Sequence, residues 1–242
     1  MAKRLFAGFM LFSTTIVILL LCVAIAQEGE KARTRDAISS TINNNDNQKV
    51  AYLTFDDGPS KNTKRILKVL DKYKIKATFF VVSNLINEEY GKLISDMARD
   101  GHSIGIHSYS HNYEDIYSSK KDFFADFIKA EKQLSKYVKK DIRICRFPGG
   151  SCNCFMGAYK DEICSELEKS KYRYYDWNVS GDDSLNDPSV DTIIGNVTKD
   201  FRNFDKPIIL LHDGVKNENT VYALTGIIEN LKMSGYSFDV LK

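Results

Sequence analysis

The chain has 242 residues, of which 43% are hydrophobic, and its formal net charge at pH 7 is +2. This length suits one globular domain with a sizeable core and argues against two full-sized domains. The near-zero net charge leaves no strongly basic surface for nucleic acid, so we expect no nucleic-acid partner.

The first 26 residues combine a basic start with an apolar run. Lys3 and Arg4 precede an uncharged segment, 5–26, that ends in Ala-Ile-Ala. This pattern is typical of a cleaved secretory signal peptide. The run is also long enough to span the roughly 30 Å of membrane hydrocarbon as a retained helical anchor. Both alternatives predict an exported protein, at the extracellular face of the membrane or in the cell wall.

Residues 27–48 are polar, with many Asn, Ser, Thr and charged side chains. Such a segment has too little apolar surface to fold alone, so we interpret it as a tether. The remaining residues, 49–242, are predicted to form one domain, which we expect to be monomeric.

The predicted domain alternates short apolar strands with amphipathic helical patterns. Strand–helix alternation predicts a parallel sheet, either doubly wound or closed as a barrel. The predicted strands are 50–55, 77–82, 103–107, 142–147, 172–179, 208–212 and 236–241, and the predicted helices are 62–73, 88–99, 120–137, 159–170, 189–201 and 220–233.

Polar clusters follow the ends of these predicted strands. In a barrel the carboxyl ends of all the strands converge on one site, whereas an open sheet gathers fewer of them, so this placement favours the barrel. The clusters are Asp56-Asp57, His107, Arg146, Asp183 and His212-Asp213.

Two of these clusters suit metal chemistry. Asp56 and Asp57 are adjacent carboxylates that repel each other unless a cation or an Arg offsets them, although Asp-Asp-Gly also occurs as a simple turn. His107 and His111 are four residues apart, a spacing that lets two imidazoles share one metal ion. His102 has no such partner, and we interpret it as structural.

Arg146 and His212 are further candidates. An Arg that follows a buried strand could hold an active-site carboxylate in its charged form, or could pair with any surface acid. A His at the end of a buried strand can donate a proton near neutral pH, or can simply be a hydrogen-bonded core residue.

Four cysteines lie in the domain. An exported protein allows a disulfide, and Cys152 or Cys154 with Cys164 is a better pairing than Cys152 with Cys154, which are too close in sequence to bridge easily. The thiols lack the paired spacing of a zinc site. The alternative is that they are unpaired or partly buried.

These motifs, in this order, resemble those of the polysaccharide deacetylase family, whose shared module is the NodB-homology domain. The matching segments are Thr-Phe-Asp-Asp-Gly at 54–58, His-Ser-x-x-His at 107–111 and Leu-Leu-His-Asp at 210–213. The resemblance extends over about 48–242. It implies a single distorted (β/α) barrel of about seven parallel strands, and a metal-dependent hydrolase that removes N-acetyl groups from a polysaccharide.

The resemblance also implies a metal site. Its ligands would be Asp57, His107 and His111, and the ion would be Zn²⁺, with Co²⁺ or another divalent ion as alternatives.

The resemblance assigns the remaining roles as well. Asp56 would be the general base and His212 the general acid. Arg146 would orient Asp56, and Asp183 would support His212, with Asp182 as a close rival. Two residues would contact the substrate: Leu210 would line the acetyl pocket, and the Gly149 N–H would stabilise the oxyanion.

The sequence departs from the family pattern at two positions. Gly149 stands where many members carry Tyr, and Ser184 where many carry Trp, so we expect a more open groove. Trp177 lies on a predicted strand and is interpreted as a core residue.

The predicted export and the motif variants favour a cell-wall glycan as substrate. Peptidoglycan N-acetylglucosamine is the first prediction, followed by N-acetylmuramic acid and chitin-type oligosaccharides. A catalytically inactive, sugar-binding member of the same fold is the rival hypothesis.

Overall fold

The computed structural model describes residues 48–242. The predicted leader, 1–26, and all but the last residue of the predicted tether, 27–48, lie outside the described residues. Between residues 48 and 242, no helix has the length and apolar character needed to cross a membrane.

Seven parallel strands form a continuous sheet in the order β5-β4-β3-β2-β1-β7-β6, and the short strand β8 pairs with β1. The sheet curls into a half-barrel, and its end strands, β5 and β6, do not pair with each other. The predicted distorted barrel of about seven strands is thereby confirmed. The strands are β1 Val50–Gly58, β2 Thr78–Val81, β3 Ser103–Ile106, β4 Ile144–Cys145, β5 Arg173–Tyr174, β6 Val179–Ser180, β7 Ile208–His212 and β8 Ser237–Phe238.

Helices connect the strands and share one large hydrophobic core with them. Residues of 3₁₀ conformation extend several connections, at Ser83–Leu85, Gly157–Tyr159 and Phe201–Asn203. The α-helices are α1 Lys61–Tyr73, α2 Glu88–Arg99, α3 Tyr113–Ile116, α4 Lys120–Leu134, α5 Lys160–Lys169, α6 Val190–Asp200 and α7 Glu218–Met233.

The central strand β1 separates the core from the site. Leu53 and Phe55 are fully buried in the core. Successive side chains of a strand point to opposite faces, so Thr54 and Asp56 face the concave side of the sheet. Their register partners on β7 are Leu210 and His212. Side chains in register on neighbouring strands share a face, so all four lie on the concave side.

The predicted strand 172–179 is wrong as a single element, because it forms two strands at opposite ends of the sheet. The interruption coincides with contacts to Arg146. Its guanidinium donates from Nε to the Tyr175 carbonyl oxygen (2.9 Å) and from Nη2 to the Asp176 carbonyl oxygen (3.2 Å). The chain pairs with β4 up to Tyr174 and with β7 from Val179.

Several other predicted elements differ from the structure at their ends. The helix predicted to reach residue 137 ends at Leu134, and the last predicted strand, 236–241, pairs only at Ser237–Phe238. Beyond it, Leu241 packs with Phe80 and Ile144 in a small separate cluster. The short helix α3 was not predicted.

Candidate active site

The structure brings the predicted site residues to one edge of the sheet. Asp56 and His212 are register partners at the ends of β1 and β7. His107 directly follows β3, and Arg146 directly follows β4. The strands are parallel, so their carboxyl ends form a single site.

Asp57, His107 and His111 converge on one point. Asp57 Oδ1 lies 3.1 Å from His111 Nε2 and 3.5 Å from His107 Nε2. One ligand atom from each residue lies within 4.8 Å of the other two. The Asp57 Oδ1 atom is buried and has no hydrogen bond to the described part of the chain. A buried carboxylate oxygen without a donor, faced by two imidazoles, suits a divalent cation with open coordination positions.

Strained backbone conformations present these ligands. Asp57, Ser108 and His111 have φ angles of 73°, 87° and 55°, in the left-handed region that residues with a Cβ rarely adopt. Such strain persists where the surrounding structure enforces it, and it is concentrated at functional sites. Ser108 contributes to this enforcement, because its Oγ accepts the backbone N–H of His111 (3.0 Å).

The tautomer of His107 is determined by its hydrogen bond. Its Nδ1 lies 2.8 Å from the Arg146 carbonyl oxygen, which can only accept, so Nδ1 carries the proton and the Nε2 lone pair faces Asp57. Burial lowers the pKa of His107, which favours the neutral ring that a metal requires. Burial would raise the pKa of Asp57, but the imidazole of His111, followed by the charge of His212, outweighs it and holds that pKa well below its usual range.

Asp56 and Arg146 form a buried ion pair. Their exposed fractions are 2% and 1%, and Arg146 donates from Nη1 to Asp56 Oδ1 (3.0 Å). The same Nη1 donates to Thr54 Oγ1 (2.7 Å), which fixes the guanidinium. The other carboxylate oxygen, Asp56 Oδ2, lies 3.7 Å from His107 Nε2. Arg146 therefore holds one oxygen of Asp56 and leaves the second facing the candidate metal cluster.

His212 is held by Asp183. The ring donates from Nδ1 to Asp183 Oδ1 (2.7 Å), and its backbone N–H donates to Oδ2 (2.8 Å). Thr220 Oγ1 also donates to Oδ2 (2.6 Å). Burial of His212 would lower its pKa, but the hydrogen bond and the charge of Asp183, followed by the charges of Asp56 and Asp57, raise it to about 9. The imidazole is therefore protonated at neutral pH, as a proton donor must be.

The two predicted substrate-contacting residues also lie at this edge. Gly149 is exposed, with φ of 76°, and its N–H donates to no other described residue. Leu210 is nearly buried on β7, on the same concave face as His212.

Other residues that the sequence singled out lie elsewhere. Asp182 is exposed and accepts from Ser180 Oγ, so it does not contact His212. A core position was predicted for Trp177. In the structure it lies in the segment between β5 and β6, is half-buried and packs on Arg146. His102 accepts the Ala77 N–H (3.1 Å), in keeping with a structural role.

The disulfide alternative is wrong for this structure, because the described cysteines Cys145, Cys152, Cys154 and Cys164 are free thiols.

The sequence reasoning gave no role to two residues that support the site. Asp176 accepts the Ser151 N–H (2.8 Å) and hydroxyl, which ties the Gly149 loop to the chain after β5. The fully buried Asp213 accepts a hydrogen bond from Thr63 Oγ1 (2.5 Å), and its N–H donates to the Asp56 carbonyl oxygen (2.9 Å). In the sequence Asp213 stood out only as the neighbour of His212, and Asp176, inside the predicted strand 172–179, carried no signal.

Comparison with known proteins gives concordant matches. Residues 43–175 match the family model described as polysaccharide deacetylase. A peptidoglycan-N-acetylglucosamine deacetylase of Bacillus cereus is 30% identical over 222 residues, which cover 90% of this chain and 78% of that protein. A peptidoglycan-N-acetylmuramic acid deacetylase of Bacillus subtilis is 27% identical, with 80% of this chain and 70% of that protein covered.

A solved structure has the same fold. It is the catalytic domain of a peptidoglycan N-acetylglucosamine deacetylase from Eubacterium rectale, with a TM-score of 0.74 and 36% identity. The match covers 80% of this chain and 89% of that one.

Proposed function

This chain belongs to the polysaccharide deacetylase family, and on that basis we propose that it hydrolyses N-acetyl groups on an amino-sugar polymer, with a divalent metal, and releases acetate. One observation carries the proposal. Asp56, held by Arg146, and His212, held by Asp183, both lie at the sheet edge that presents the Asp57–His107–His111 cluster. A proton acceptor and a proton donor beside a metal-binding cluster are the groups that amide hydrolysis requires.

We propose that Asp57, His107 and His111 bind the metal, with Zn²⁺ as the first choice and Co²⁺ or another divalent ion as alternatives. When bound, such an ion supplies Lewis-acid polarisation of the acetyl carbonyl and makes water more acidic. The donor set fits it, because Asp57 has an unpartnered buried oxygen and both imidazoles present Nε2 to it.

The chain's own residues then move the protons. Asp56 accepts a proton from the attacking water as the water oxygen bonds to the acetyl carbon. The Gly149 N–H donates to the oxygen that becomes negatively charged. His212 donates its proton to the sugar nitrogen as the carbon–nitrogen bond breaks, which yields a free amine and acetate. Arg146 and Asp183 position the base and the acid, and Leu210 lines the space for the acetyl methyl group.

For the substrate we propose peptidoglycan N-acetylglucosamine, with N-acetylmuramic acid and chitin-type oligosaccharides as the alternatives. The names of the Bacillus cereus and Eubacterium rectale relatives support the first choice. The Bacillus subtilis relative, at lower identity, supports the second. The apolar leader and polar tether in the sequence fit a protein exported to work on a cell-wall glycan.

The test is a substrate panel with the purified, zinc-loaded protein. Peptidoglycan glycan strands and tetra-N-acetylchitotetraose are incubated with it, and the released acetate and the position of the new amine are measured. We expect amines on N-acetylglucosamine, loss of acetate release after chelation, and recovery when Zn²⁺ is restored. If the fully metal-loaded protein binds these glycans without releasing acetate, the inactive sugar-binding alternative replaces this proposal.

A further inference from the structure

An aromatic side chain occupies the space beside Gly149. A Cβ added at Gly149 would lie 2.9 Å from Cε1 of Tyr113 and 3.3 Å from its phenol oxygen. The Tyr113 ring also meets the His111 ring edge-on, with centroids 5.4 Å apart and an interplanar angle of 86°. Tyr113 therefore neighbours both the proposed oxyanion donor and a proposed metal ligand.

Tyr113 is held in a fixed position. It is the first residue of α3, whose start is capped by Asn112. Its ring packs edge-on against Tyr117 (6.1 Å between centroids), and the Tyr117 hydroxyl donates to the Pro148 carbonyl oxygen (2.9 Å). Asn153 of the Gly149 loop donates to the same oxygen (3.1 Å). The Tyr117 hydrogen bond therefore joins the residue that follows α3 to the Gly149 loop. Binding to such a preorganised surface costs little ordering of the protein.

The exposure of Tyr113 distinguishes it from a core residue. Tyr117, one turn later, is 5% exposed and uses its hydroxyl within the protein. Tyr113 is only half-buried, and its hydroxyl makes no hydrogen bond to residues 48–242. The Tyr113 hydroxyl is therefore not engaged within the described chain and is available to a ligand at the edge of the site.

Phe155 extends the aromatic surface outward. Its ring packs against Tyr113 with centroids 5.3 Å apart, and 49% of the residue is exposed. About half of this large apolar side chain thus remains exposed, and aromatic surface beside a few polar groups is typical of small-molecule sites.

We propose that Tyr113 and Phe155 form the aromatic wall of a sugar subsite, against which a pyranose ring of the N-acetylated glycan stacks during deacetylation. The apolar C–H face of the sugar would lie on the rings, and the Tyr113 hydroxyl would bond to a sugar hydroxyl. The identity of the ligand, an N-acetylated glycan, rests on the proposed function. In this proposal Tyr113 of α3 supplies an aromatic side chain beside Gly149, where many family members carry Tyr.

The wall is tested by binding of tetra-N-acetylchitotetraose to the zinc-loaded full chain, measured by calorimetry. All proteins carry Asp56→Asn so that no turnover occurs. Tyr113→Leu should weaken binding about tenfold, and Phe155→Leu by a smaller factor, as expected for loss of aromatic stacking. Tyr113→Phe should stay within about threefold of the parent, because it keeps the ring. Tyr222→Leu is the matched control, since Tyr222 is 56% exposed on α7, and it should bind like the parent.

Zinc content and melting temperature are measured for each variant, so that loss of binding is not confused with loss of the site or of the fold. Unchanged binding in Tyr113→Leu, or no binding of the tetramer by the parent, overturns the wall.

The same substitutions in the chain that keeps Asp56 separate the wall from the proposed function. Acetate release with an unchanged KM in Tyr113→Leu refutes the wall alone. Tyr113-dependent binding without acetate release refutes the deacetylase function and leaves the wall intact.

Discussion

At the scale of single residues, two neighbouring carboxylates have different surroundings. Asp56 is buried and paired with Arg146, whereas the Asp57 carboxylate faces His107 and His111. The difference arises from the backbone, because Asp57 has a φ of 73° that turns its side chain away from the direction a regular strand would give it. Adjacent residues can thus serve as base and as metal ligand without competing for one position.

Substitutions at Asp56 and His111 should therefore have different effects on metal binding. Asp56→Asn keeps a side chain of the same size, so we expect about one Zn²⁺ per chain and a loss of acetate release of at least about 100-fold, as for removal of a general base. His111→Ala removes a ligand and should lose both metal and activity. Zinc content by atomic absorption and acetate release check this pair. Full activity of Asp56→Asn would refute the base assignment, and normal zinc content of His111→Ala would refute the ligand set.

The raised pKa of His212 predicts the pH dependence. A general acid must start protonated, so kcat/KM should fall as the pH rises through a pKa of about 9. A cation held by Asp57, His107 and His111 would offset the negative charges that raise this pKa, so the alkaline limb is expected at or below that pH. Asp183→Asn removes the largest contribution that raises the pKa.

The alkaline limb of Asp183→Asn should move to lower pH by at least about one unit. The measurement is kcat/KM for the glycan between pH 5 and 10. Asp182→Asn is the matched control, because Asp182 is exposed and bonded to Ser180, and its profile should match that of the unmodified protein. An unchanged profile for Asp183→Asn would show that another group sets the alkaline limb.

At the scale of secondary structure, the end of β1, the start of α1 and the end of β7 are joined through Asp213. Its carbonyl oxygen accepts from Ser60 Oγ (2.5 Å), and Ser60 is the N-cap of α1. Its carboxylate accepts from Thr63 in the first turn of the helix. Burial, and then the charges of Asp57 and Asp56, outweigh the Thr63 hydrogen bond and raise the pKa of Asp213 to about 7. One buried acid therefore couples the turn that carries Asp56 and Asp57 to the strand that carries His212.

This packing leaves no room for a side chain at Gly58. A Cβ there would lie 2.1 Å from Asp213 Oδ2, so Gly58→Ala must displace the buried carboxylate. Overpacking of this kind costs about 1–3 kcal/mol, which lowers the melting temperature by roughly 2–12 °C for a domain of this size. Thermal unfolding by circular dichroism measures the change.

Gly195→Ala in α6 is the matched control for Gly58→Ala. No atom lies within 4 Å of the added Cβ, and alanine favours a helix over glycine by up to about 1 kcal/mol, so this variant should be as stable or more stable. Equal melting temperatures for the two variants would show that the Gly58 contact is not tight.

At the scale of the whole molecule, the incomplete barrel makes room for the site. The gap between β5 and β6 is where Arg146 uses the carbonyl oxygens of Tyr175 and Asp176. The two carbonyl oxygens at this gap therefore help to hold the Arg146 guanidinium that orients Asp56.

The sequence by itself determined the parallel α/β architecture and the identity of the residues at the site. Both are local signals, since alternating apolar strands and amphipathic helices predict the sheet, and polar side chains at strand ends predict where they meet. Strand ends singled out Asp56, Asp57, His107, Arg146 and His212, the four-residue spacing added His111, and the resemblance to the family assigned their roles.

Only the tertiary structure decided what depends on contacts between distant segments. It selected Asp183 over Asp182 as the partner of His212, divided the predicted strand 172–179, and placed Tyr113 beside Gly149. Each outcome depends on which group from another part of the chain reaches a given oxygen or fills a given space. A local pattern along the sequence carries no information about that choice, because the deciding partners are 29 to 36 residues away in the chain.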